Sequence, residues 1–472
     1  MTAALSFTAP VQPPFSVAGQ RVLVVGAARS GLAAAELLAS RGATVTLSDR
    51  AATIPGEARL RALGVALDLG GHDAALFTGA DLIVTSPGVP PELAPLAAAR
   101  AAGVPVVGEL ELASRWLSGP MIAITGTKGK STTTTLVGRM LEQSGQRVLV
   151  GGNIGVPLSA HVDQSTPDTW HVVETSSFQL ETTETFHPVI AALLNLSADH
   201  LDRHPDEASY AAAKARVFAN QTVTDWRVVN ADQPETVALA AGTAACELPY
   251  SSTQHLSTGV SVRDGVVWRR SGDSEAALVP LSSVRLPGRH MTSNVVAACA
   301  ISTLAGATPA GMTAALESFT GLEHVLEFVA EIDGVRYIND SKATNIDAAG
   351  RAIESFDEVV AIIGGKYKGG RFEDLIGPLT GRGRGVVAIG EATARVTAAL
   401  GHVLPVVEAT SMDDAVARAR ALARGGGVVL LAPACSSFDM FQDYAARGRA
   451  FKDAVRKPGA GDEGLGRVNR ER

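Results

Sequence analysis

Short apolar runs alternate with helical segments along most of this chain. Runs such as 21–25, 121–124 and 359–363 consist almost wholly of Val, Ile, Leu and Ala, and a turn that contains glycine follows each one. Unbroken apolar strands that alternate with helices are typical of parallel sheets covered on both faces. The pattern therefore predicts an α/β protein built on parallel sheets.

The predicted strands give more detail. In chain order they are 21–25, 43–47, 81–85, 121–124, 147–150, 171–174, 189–194, 335–338, 359–363, 386–389 and 428–431. Short β-like pieces between 226 and 286 predict an antiparallel flank on the central sheet. The predicted helices include 32–40, 207–220 and 290–304.

These elements fall into three groups, as expected for 472 residues. We predict a Rossmann-like first domain (1–117), a central P-loop-type ATPase domain with a mixed sheet (118–320) and a Rossmann-like third domain (321–456). The polar, glycine-rich residues 457–472 are predicted to form a disordered tail.

A glycine turn after the run 121–124 carries the strongest chemical signal. It reads G-x-x-G-K-S-T and consists of Gly126, Thr127, Lys128, Gly129, Lys130, Ser131 and Thr132. Glycines let backbone N–H groups approach phosphates, a lysine neutralises their charge and a hydroxyl can hold Mg²⁺. The turn predicts a nucleotide phosphate site, and the alternative is an ordinary strand–helix turn.

A weaker glycine turn follows the first strand. It runs from Gly26 to Gly31, an acid, Asp49, lies about twenty residues further on, and the strand 81–85 ends at Ser86-Pro87-Gly88. The pattern fits either a dinucleotide or nucleotide-sugar site or a structural turn. The candidate binding residues here are Arg29, Ser30, Asp49, Arg50 and Gly88.

Polar residues after the central strands are further candidates. Glu174 ends an apolar strand, where it could hold Mg²⁺ or cap the next helix. His200 could bind metal or phosphate, or be a structural histidine. Lys214 lies among alanines; it is either solvated or buried with a lowered pKa.

Three predicted strands of the third domain end in polar motifs, 339–345, 364–370 and 432–439. Together they offer Lys342, Thr344, Lys368 and Ser437. Because parallel strands end at one edge of a sheet, these groups suit an anionic small molecule, above all a carboxylate. Asp340, Ser341 and Thr344 could instead be helix N-caps.

Composition narrows the class of protein. A net charge of −7 argues against a nucleic-acid surface. Three widely spaced cysteines favour neither disulfides nor a zinc site. No apolar run reaches about 18 residues, and residues 1–16 lack the pattern of a signal peptide, so we expect a cytoplasmic chain without membrane insertion.

Between residues 18 and 455 the chain resembles the Mur ligases, ATP-dependent enzymes that form the amide bonds of the bacterial cell-wall peptide. The motif Asn-Asp-Ser-Lys-Ala-Thr-Asn at 339–345 is similar to that of the D-glutamate-adding branch. The resemblance implies a ligase that joins D-glutamate to UDP-N-acetylmuramoyl-L-alanine through an acyl phosphate. It also implies ATP, two Mg²⁺ ions and a monomer.

The resemblance also implies residue roles. The first-domain candidates and Asn153 would contact the UDP substrate, and His200 the substrate or a metal. Ser131 and Glu174 would hold Mg²⁺, and Lys214 would become a carbamate that positions a second one. Asn294 and Asp340 would lie around the nucleotide. The D-glutamate site would comprise Lys342, Thr344, Lys368, Ser437 and Tyr444. Lys130, Glu174, His200 and Lys214 would carry catalysis.

Three positions depart from the family pattern, namely Met291, Val325 and Arg371. Val325 replaces an arginine expected near ATP. Two other interpretations stay open. One is an amide ligase of the Mur or folylpolyglutamate type for another amino acid, and the other, because this arginine is missing, is a non-catalytic nucleotide-binding regulator. Because water would hydrolyse an acyl phosphate, we also expect the third domain to close about a hinge near 320–323.

Overall fold

The computed structural model describes residue 7 and residues 15–197, 203–285, 289–367, 369–423 and 425–457. The chain forms two compact units, Met1–Phe319 and Thr320–Arg472. The first unit contains two sheets and the second contains one.

The first sheet has five parallel strands in the order β3-β2-β1-β4-β5. Its elements are β1 Arg21–Val25, α1 Arg29–Ser40, β2 Thr44–Asp49, α2 Glu57–Ala62, β3 Ala66–Leu69, α3 Ala74–Gly79, β4 Leu82–Thr85, α4 Ala94–Ala101, β5 Val106–Gly108 and α5 Glu109–Ser114. The strand order reverses between β1 and β4. The loops after these two strands therefore flank the crevice where open α/β sheets bind ligands.

The second sheet has nine strands in the order β14-β13-β12-β11-β10-β9-β6-β8-β7. Its strands are β6 Met121–Thr125, β7 Arg147–Gly152, β8 Thr169–Glu174, β9 Ile190–Leu193, β10 Trp226–Asn230, β11 Cys246–Ser251, β12 Gly259–Arg263, β13 Val266–Ser271 and β14 Ser274–Pro280. Only β13 and β14 add antiparallel pairs, so the predicted antiparallel flank is present but begins later than expected.

Helices cover both faces of this sheet. The α-helices are α6 Lys130–Glu142, α7 Ser177–Leu180, α8 Glu207–Ala215, α9 Pro234–Ala240, α10 Arg289–Leu304 and α11 Pro309–Ser318. Short 3₁₀ turns occupy Leu158–Gln164, Arg216–Phe218 and Leu281–Ser283. The central strands β6, β8 and β9 are buried along their whole length, which explains their unbroken apolar sequence.

The third sheet, in the second unit, has the order β15-β16-β20-β17-β18-β19. Its elements are β15 Glu327–Ile332, β16 Val335–Asn339, α12 Ile346–Glu354, β17 Val359–Gly364, a 3₁₀ turn at Phe372–Leu375, α13 Ile376–Leu379, β18 Gly383–Ile389, α14 Thr393–Leu400, β19 Val406–Ala409, α15 Met412–Leu422, β20 Gly427–Leu431 and α16 Tyr444–Arg456. Only β15 is antiparallel to its neighbour.

The pattern of apolar positions missed several elements. Strands β3, β5, β15 and β19 were not predicted, and the helix expected over 207–220 ends at Ala215 and continues as a 3₁₀ turn. Helix α1 begins three residues before the predicted start. The missed strands lie at sheet edges. Half-exposed residues give β3, β15 and β19 no unbroken apolar run, and β5 has only three residues.

A buried carboxylate fastens the first sheet's last helix to the central region. Glu111 in α5 accepts hydrogen bonds from the backbone N–H groups of Glu184, Thr185 and Phe186 and from the Thr185 hydroxyl. Arg115 adds an ion pair at 2.8 Å. Burial alone would raise the pKa of Glu111, but these donors together lower it, so the group stays ionised.

None of the described helices is both long enough and apolar enough to cross a bilayer. The residues 458–472, which were predicted to be disordered, lie outside the described part of the chain.

Candidate functional site

The phosphate loop joins β6 to α6 and is shaped by two glycines. Gly126 and Gly129 have φ values of 150° and 78°, which side chains disfavour. A Cβ at Gly129 would lie 2.2 Å from Asn294 Oδ1, so α10 packs directly against the loop. No side chain caps the N-terminus of α6, which leaves the first N–H groups of the helix to face any anion bound there.

Two lysines converge on one carbonyl oxygen of this loop. Lys130 Nζ donates to Gly126 O and Thr127 O at 3.0 Å, and Lys214 Nζ donates to Gly126 O at 2.8 Å. Lys214 is only 1% exposed and lies 4.6 Å from the ring centre of Tyr210. The structure thus selects the buried alternative for Lys214 and brings it to the phosphate loop.

Glu174 ends β8 directly beside the phosphate-loop strand, opposite Ile124. Its Oε1 accepts a 2.7 Å hydrogen bond from Asn153 Nδ2, while its buried Oε2 has no hydrogen-bond partner among the described residues. It does not cap the following helix, because the Ser176 hydroxyl and Gln179 form a capping box there. The helix-capping interpretation is therefore wrong.

An unpaired carboxylate oxygen near a phosphate loop fits a Mg²⁺ ligand, because this ion prefers oxygen donors and few protein carboxylates. No group of three or more His, Cys, Asp or Glu side chains that could hold a metal ion by itself occurs in the part of the chain that the structure describes. Ser131, at the start of α6, supplies a second oxygen. A metal here would depend on the nucleotide for most of its ligands.

Sequence reasoning missed Asn195, which follows β9. Its Oδ1 accepts from the backbone N–H groups of Thr127 and Lys128 at 3.1 and 2.8 Å, and its Nδ2 donates to Lys128 O at 2.9 Å. The sequence showed only that Asn195 begins a polar cluster, which gave no sign of this contact. His200 belongs to the same cluster but lies outside the described residues.

The crevice of the first sheet is built around its own glycine turn. A Cβ at Gly31 would lie 1.8 Å from Gly26 O, so the turn requires glycine for packing alone. Asp49 accepts the Ala27 N–H at 2.6 Å and the Ala51 N–H at 2.8 Å. Arg29 reaches the second sheet, where it donates to Gly155 O at 2.7 Å. Asp49 therefore shapes the turn, whatever it also binds.

The other first-sheet candidates follow the ends of β1, β2 and β4 along the chain. Ser30 is half-buried in the first turn of α1, while Arg50 and Gly88 are exposed at the ends of β2 and β4. A cavity of about 290 Å³ lies beside the loop after β4. Its walls include Ser86, Glu109, Phe178 and Arg203, and burial raises the pKa of Glu109.

In the second unit, three neighbouring strands end side by side. The order β16-β20-β17 places the predicted motifs next to each other, and backbone hydrogen bonds join them: Ala434 N to Ala343 O and Lys366 N to Ser436 O, both at 2.9 Å. Thr344 is half-buried here, Ser437 is buried and Lys342 is exposed. Lys368 lies outside the described residues.

A buried arginine that the sequence did not reveal binds two of these loops. Arg447 of α16 is 2% exposed and donates to Ser341 Oγ, Ser341 O and Cys435 O at 3.0, 2.9 and 3.1 Å. Burial lowers its pKa to about 10, so the guanidinium stays charged at neutral pH. Tyr444 begins the same helix, and its carbonyl accepts the Ser341 hydroxyl.

The N-cap of α12 is Asn345, whose side chain accepts from Ala348 N. Asp340, Ser341 and Thr344 are therefore not N-caps, and that interpretation is wrong. Asp340 is buried, which raises its pKa to about 7 despite the nearby Lys342 charge and a hydrogen bond from Leu326 N. A carboxyl group with such a pKa gains or loses its proton near neutral pH.

The three residues that depart from the expected family pattern lie in different surroundings. Met291 is buried in α10, so it serves packing. Val325 lies in a tight turn after His324, which has φ 65°. Arg371 is exposed, 4.0 Å from Glu373.

Three family models match the chain in succession. They are described as Mur ligase MurD-like, N-terminal domain (residues 20–108), Mur ligase middle domain (124–302) and Mur ligase, glutamate ligase domain (326–435). The chain is also similar to curated proteins named UDP-N-acetylmuramoylalanine–D-glutamate ligase. That of Acidobacterium capsulatum is 46% identical over 443 residues, with 93% of this chain and 96% of the relative covered. That of Pelobacter propionicus is 45% identical, with 93% and 98% covered.

Solved structures agree in fold at lower identity. UDP-N-acetylmuramate-alanine ligase of Thermotoga maritima is 18% identical and superposes with a TM-score of 0.57 over 92% of this chain and 99% of that one. A murein peptide ligase of Psychrobacter arcticus gives a TM-score of 0.54 at 18% identity, with 93% and 100% covered. These structures support the three-sheet α/β architecture.

Proposed function

This chain belongs to the Mur ligase family, and we propose that it joins D-glutamate to UDP-N-acetylmuramoyl-L-alanine at the expense of ATP. The chain is a ligase of peptidoglycan precursor synthesis that uses ATP with Mg²⁺, as its family does. The observation that carries the choice of amino acid is the high identity to D-glutamate ligases along nearly the whole chain. We further propose that it acts as a cytoplasmic monomer.

In the first step, the carboxylate of the L-alanyl group attacks the γ-phosphorus of ATP, which forms an acyl phosphate and releases ADP. Such a transfer needs alignment and charge neutralisation more than covalent help. The N–H groups at the start of α6 and the Lys130 ammonium supply positive charge around the phosphates. Lys130 would exchange its contacts with Gly126 O and Thr127 O for phosphate oxygens.

Ser131 and Glu174 would hold Mg²⁺, which neutralises phosphate charge when bound. The buried, unpaired Glu174 Oε2 supports this role. Asn153 fixes the other oxygen and so orients the carboxylate. A second Mg²⁺, with His200 near it, is part of the proposal.

Lys214 is proposed to carry a carbamate. Its amine is buried and sits over Tyr210 at the phosphate loop. Converting the amine to a carbamate would replace a cation by an anion beside Gly126 O, and that anion would require a metal or another cation as partner. Lys130 binds the same carbonyl and is the nearest candidate.

In the second step, the neutral amine of D-glutamate attacks the acyl carbon, and inorganic phosphate leaves. The aligned ends of β16, β20 and β17 are proposed to bind the two carboxylates of D-glutamate. Lys342, Lys368, Thr344 and Ser437 would donate to them, with Tyr444 beside the site. We propose that the nucleotide also contacts Asn294 and Asp340, and the UDP portion the first-sheet crevice.

A phosphate-release assay tests this assignment. We expect ATP-dependent release only when both UDP-N-acetylmuramoyl-L-alanine and D-glutamate are present. Release that is equally fast with L-lysine, glycine or L-glutamate would point to another amide ligase. No release dependent on both substrates would favour the nucleotide-binding regulator and contradict the proposed function.

A further inference from the structure

The carboxamide of Asn195 spans the first half of the phosphate loop. One of its atoms accepts two consecutive loop N–H groups, and another donates to a loop carbonyl. The backbone carbonyl of Asn195 also accepts the Thr127 N–H at 3.0 Å. A side chain that makes three hydrogen bonds to three successive peptide units fixes their orientation more firmly than any single contact.

A second connection runs through the Thr127 hydroxyl. Its Oγ1 lies 3.1 Å from the Ser197 N–H, which donates to it, and 3.1 Å from the Tyr210 hydroxyl. Tyr210 in turn lies against Lys214. Hydrogen bonds therefore hold the segment 195–197 against the loop 126–128, which contains the carbonyl that both lysines contact.

We propose that Asn195 is a positioning residue for ATP, and this inference rests on the proposed function. Its side-chain oxygen accepts hydrogen bonds from the N–H groups of Thr127 and Lys128. This arrangement leaves the N–H groups at 130–132, at the start of α6, in place for the phosphates. Because the loop is ordered before the nucleotide arrives, binding does not bear the entropy of ordering it.

Asn195→Ala tests the proposal with a non-hydrolysable ATP analogue and Mg²⁺, measured by titration calorimetry on the full chain. We expect its Kd to rise about tenfold, because a flexible loop must be ordered on binding. In steady-state assays the KM for ATP should rise likewise, and the KM for D-glutamate should stay within about twofold. A merely structural role would not separate these two constants.

Asn230→Ala is the matched control. Asn230 ends the adjacent strand β10, is buried, and donates through Nδ2 to Leu194 O at 2.9 Å. Among the described residues its side chain makes no hydrogen bond to the phosphate loop. We expect it to lower the thermal midpoint about as much as Asn195→Ala does, while the Kd of the analogue stays near that of the wild type.

Asn195→Asp covers the case in which Asn195→Ala fails to fold. A carboxylate keeps both acceptor contacts but cannot donate to Lys128 O, and its charge repels the triphosphate. We expect the analogue Kd to rise at least tenfold, with a smaller rise at high salt.

Three results separate the outcomes. If either Asn195 variant binds the analogue as the wild type does, the proposal is overturned. It is also overturned if Asn230→Ala weakens binding as much as Asn195→Ala. If the wild type itself does not bind the analogue, the proposed function fails instead.

Discussion

The phosphate loop and the strand-end loops of the third sheet hold their polar groups in different ways. A neutral amide, Asn195, fastens the phosphate loop, whose two ammonium groups rest on backbone carbonyls. A buried guanidinium, that of Arg447, fastens the third-sheet loops, and each of its three nitrogens donates a hydrogen bond to Ser341 or Cys435. In the phosphate loop, one side chain holds the backbone and two others carry the positive charge. In the third-sheet loops, Arg447 does both.

This difference indicates how each region can meet an anion. A lysine ammonium on a flexible stem can leave a carbonyl and follow a phosphoryl group as it moves. An arginine held by three bonds inside the fold cannot move, but it supplies a fixed positive field behind the loops. We therefore expect loss of the phosphate-loop lysines to act mainly on turnover, and loss of Arg447 to act mainly on substrate affinity and stability.

The sharpest way to break the comparison is Lys130→Ala. We expect ATP turnover to fall about a thousand-fold, because the charge that follows the transferred phosphoryl group is lost. Phosphate release measures this loss. Lys128→Ala is the control, since the Lys128 side chain is exposed and only its backbone is bound in the loop. Equal, mild losses in both variants would contradict the role of Lys130.

Lys214→Ala should lower turnover by about a hundred-fold or more, because it removes the amine proposed to carry a carbamate. If the carbamate is what acts, short carboxylates such as acetate or formate should restore part of the activity. Turnover measured across a series of carboxylate concentrations provides the test. Full activity without any added carboxylate would rule the carbamate out.

Arg447→Met should raise the KM for D-glutamate about tenfold, which corresponds to about 1.4 kcal/mol. It should also lower the free energy of unfolding, because three acceptors lose a buried donor. Arg449→Met, at an exposed position two residues along the same helix, is the control. A rise in the KM for ATP that exceeds the rise for D-glutamate would contradict the assignment of these loops.

The last prediction concerns the pH dependence of stability at Asp340, whose pKa is raised by burial to about 7. A raised carboxyl pKa means that the folded state favours the protonated form. The stabilising effect is therefore full below about pH 4 and is lost as the pH rises through 7. We expect the free energy of unfolding of the wild type, relative to Asp340→Asn, to fall by a few kcal/mol between pH 4 and 8. Urea titrations at several pH values measure it, and a flat difference would count against a buried Asp340.

The sequence predicted most of the parallel strands and the α/β architecture, because each buried strand carries an unbroken apolar run. It also placed polar groups at strand ends, since their order along the chain shows where each strand stops. The edge strands β3, β15 and β19 were not predicted, because their half-exposed residues form no such run, and the edge strand β5 was not predicted because it has only three residues. Family resemblance, rather than periodicity, supplied the reaction.

Side-chain partners were harder to predict than strands. Lys214 lies among alanines in α8, and alanine on every side conceals which face of the helix is buried. Asn195 and Arg447 act through contacts 67 and 106 residues away in sequence, to Lys128 and Ser341. Such contacts depend on how the sheets are ordered, which local patterns do not record.

The carboxylate of Glu111 has a consequence for how the chain can be divided. It lies before residue 117, but its backbone donors lie at 184–186. A fragment expressed as 1–117 would leave the Glu111 carboxylate without its backbone donors, and the remaining piece would expose three amide groups. The first two sheets should thus melt in a single transition, and any cloning boundary drawn between them would cut through one cooperative body.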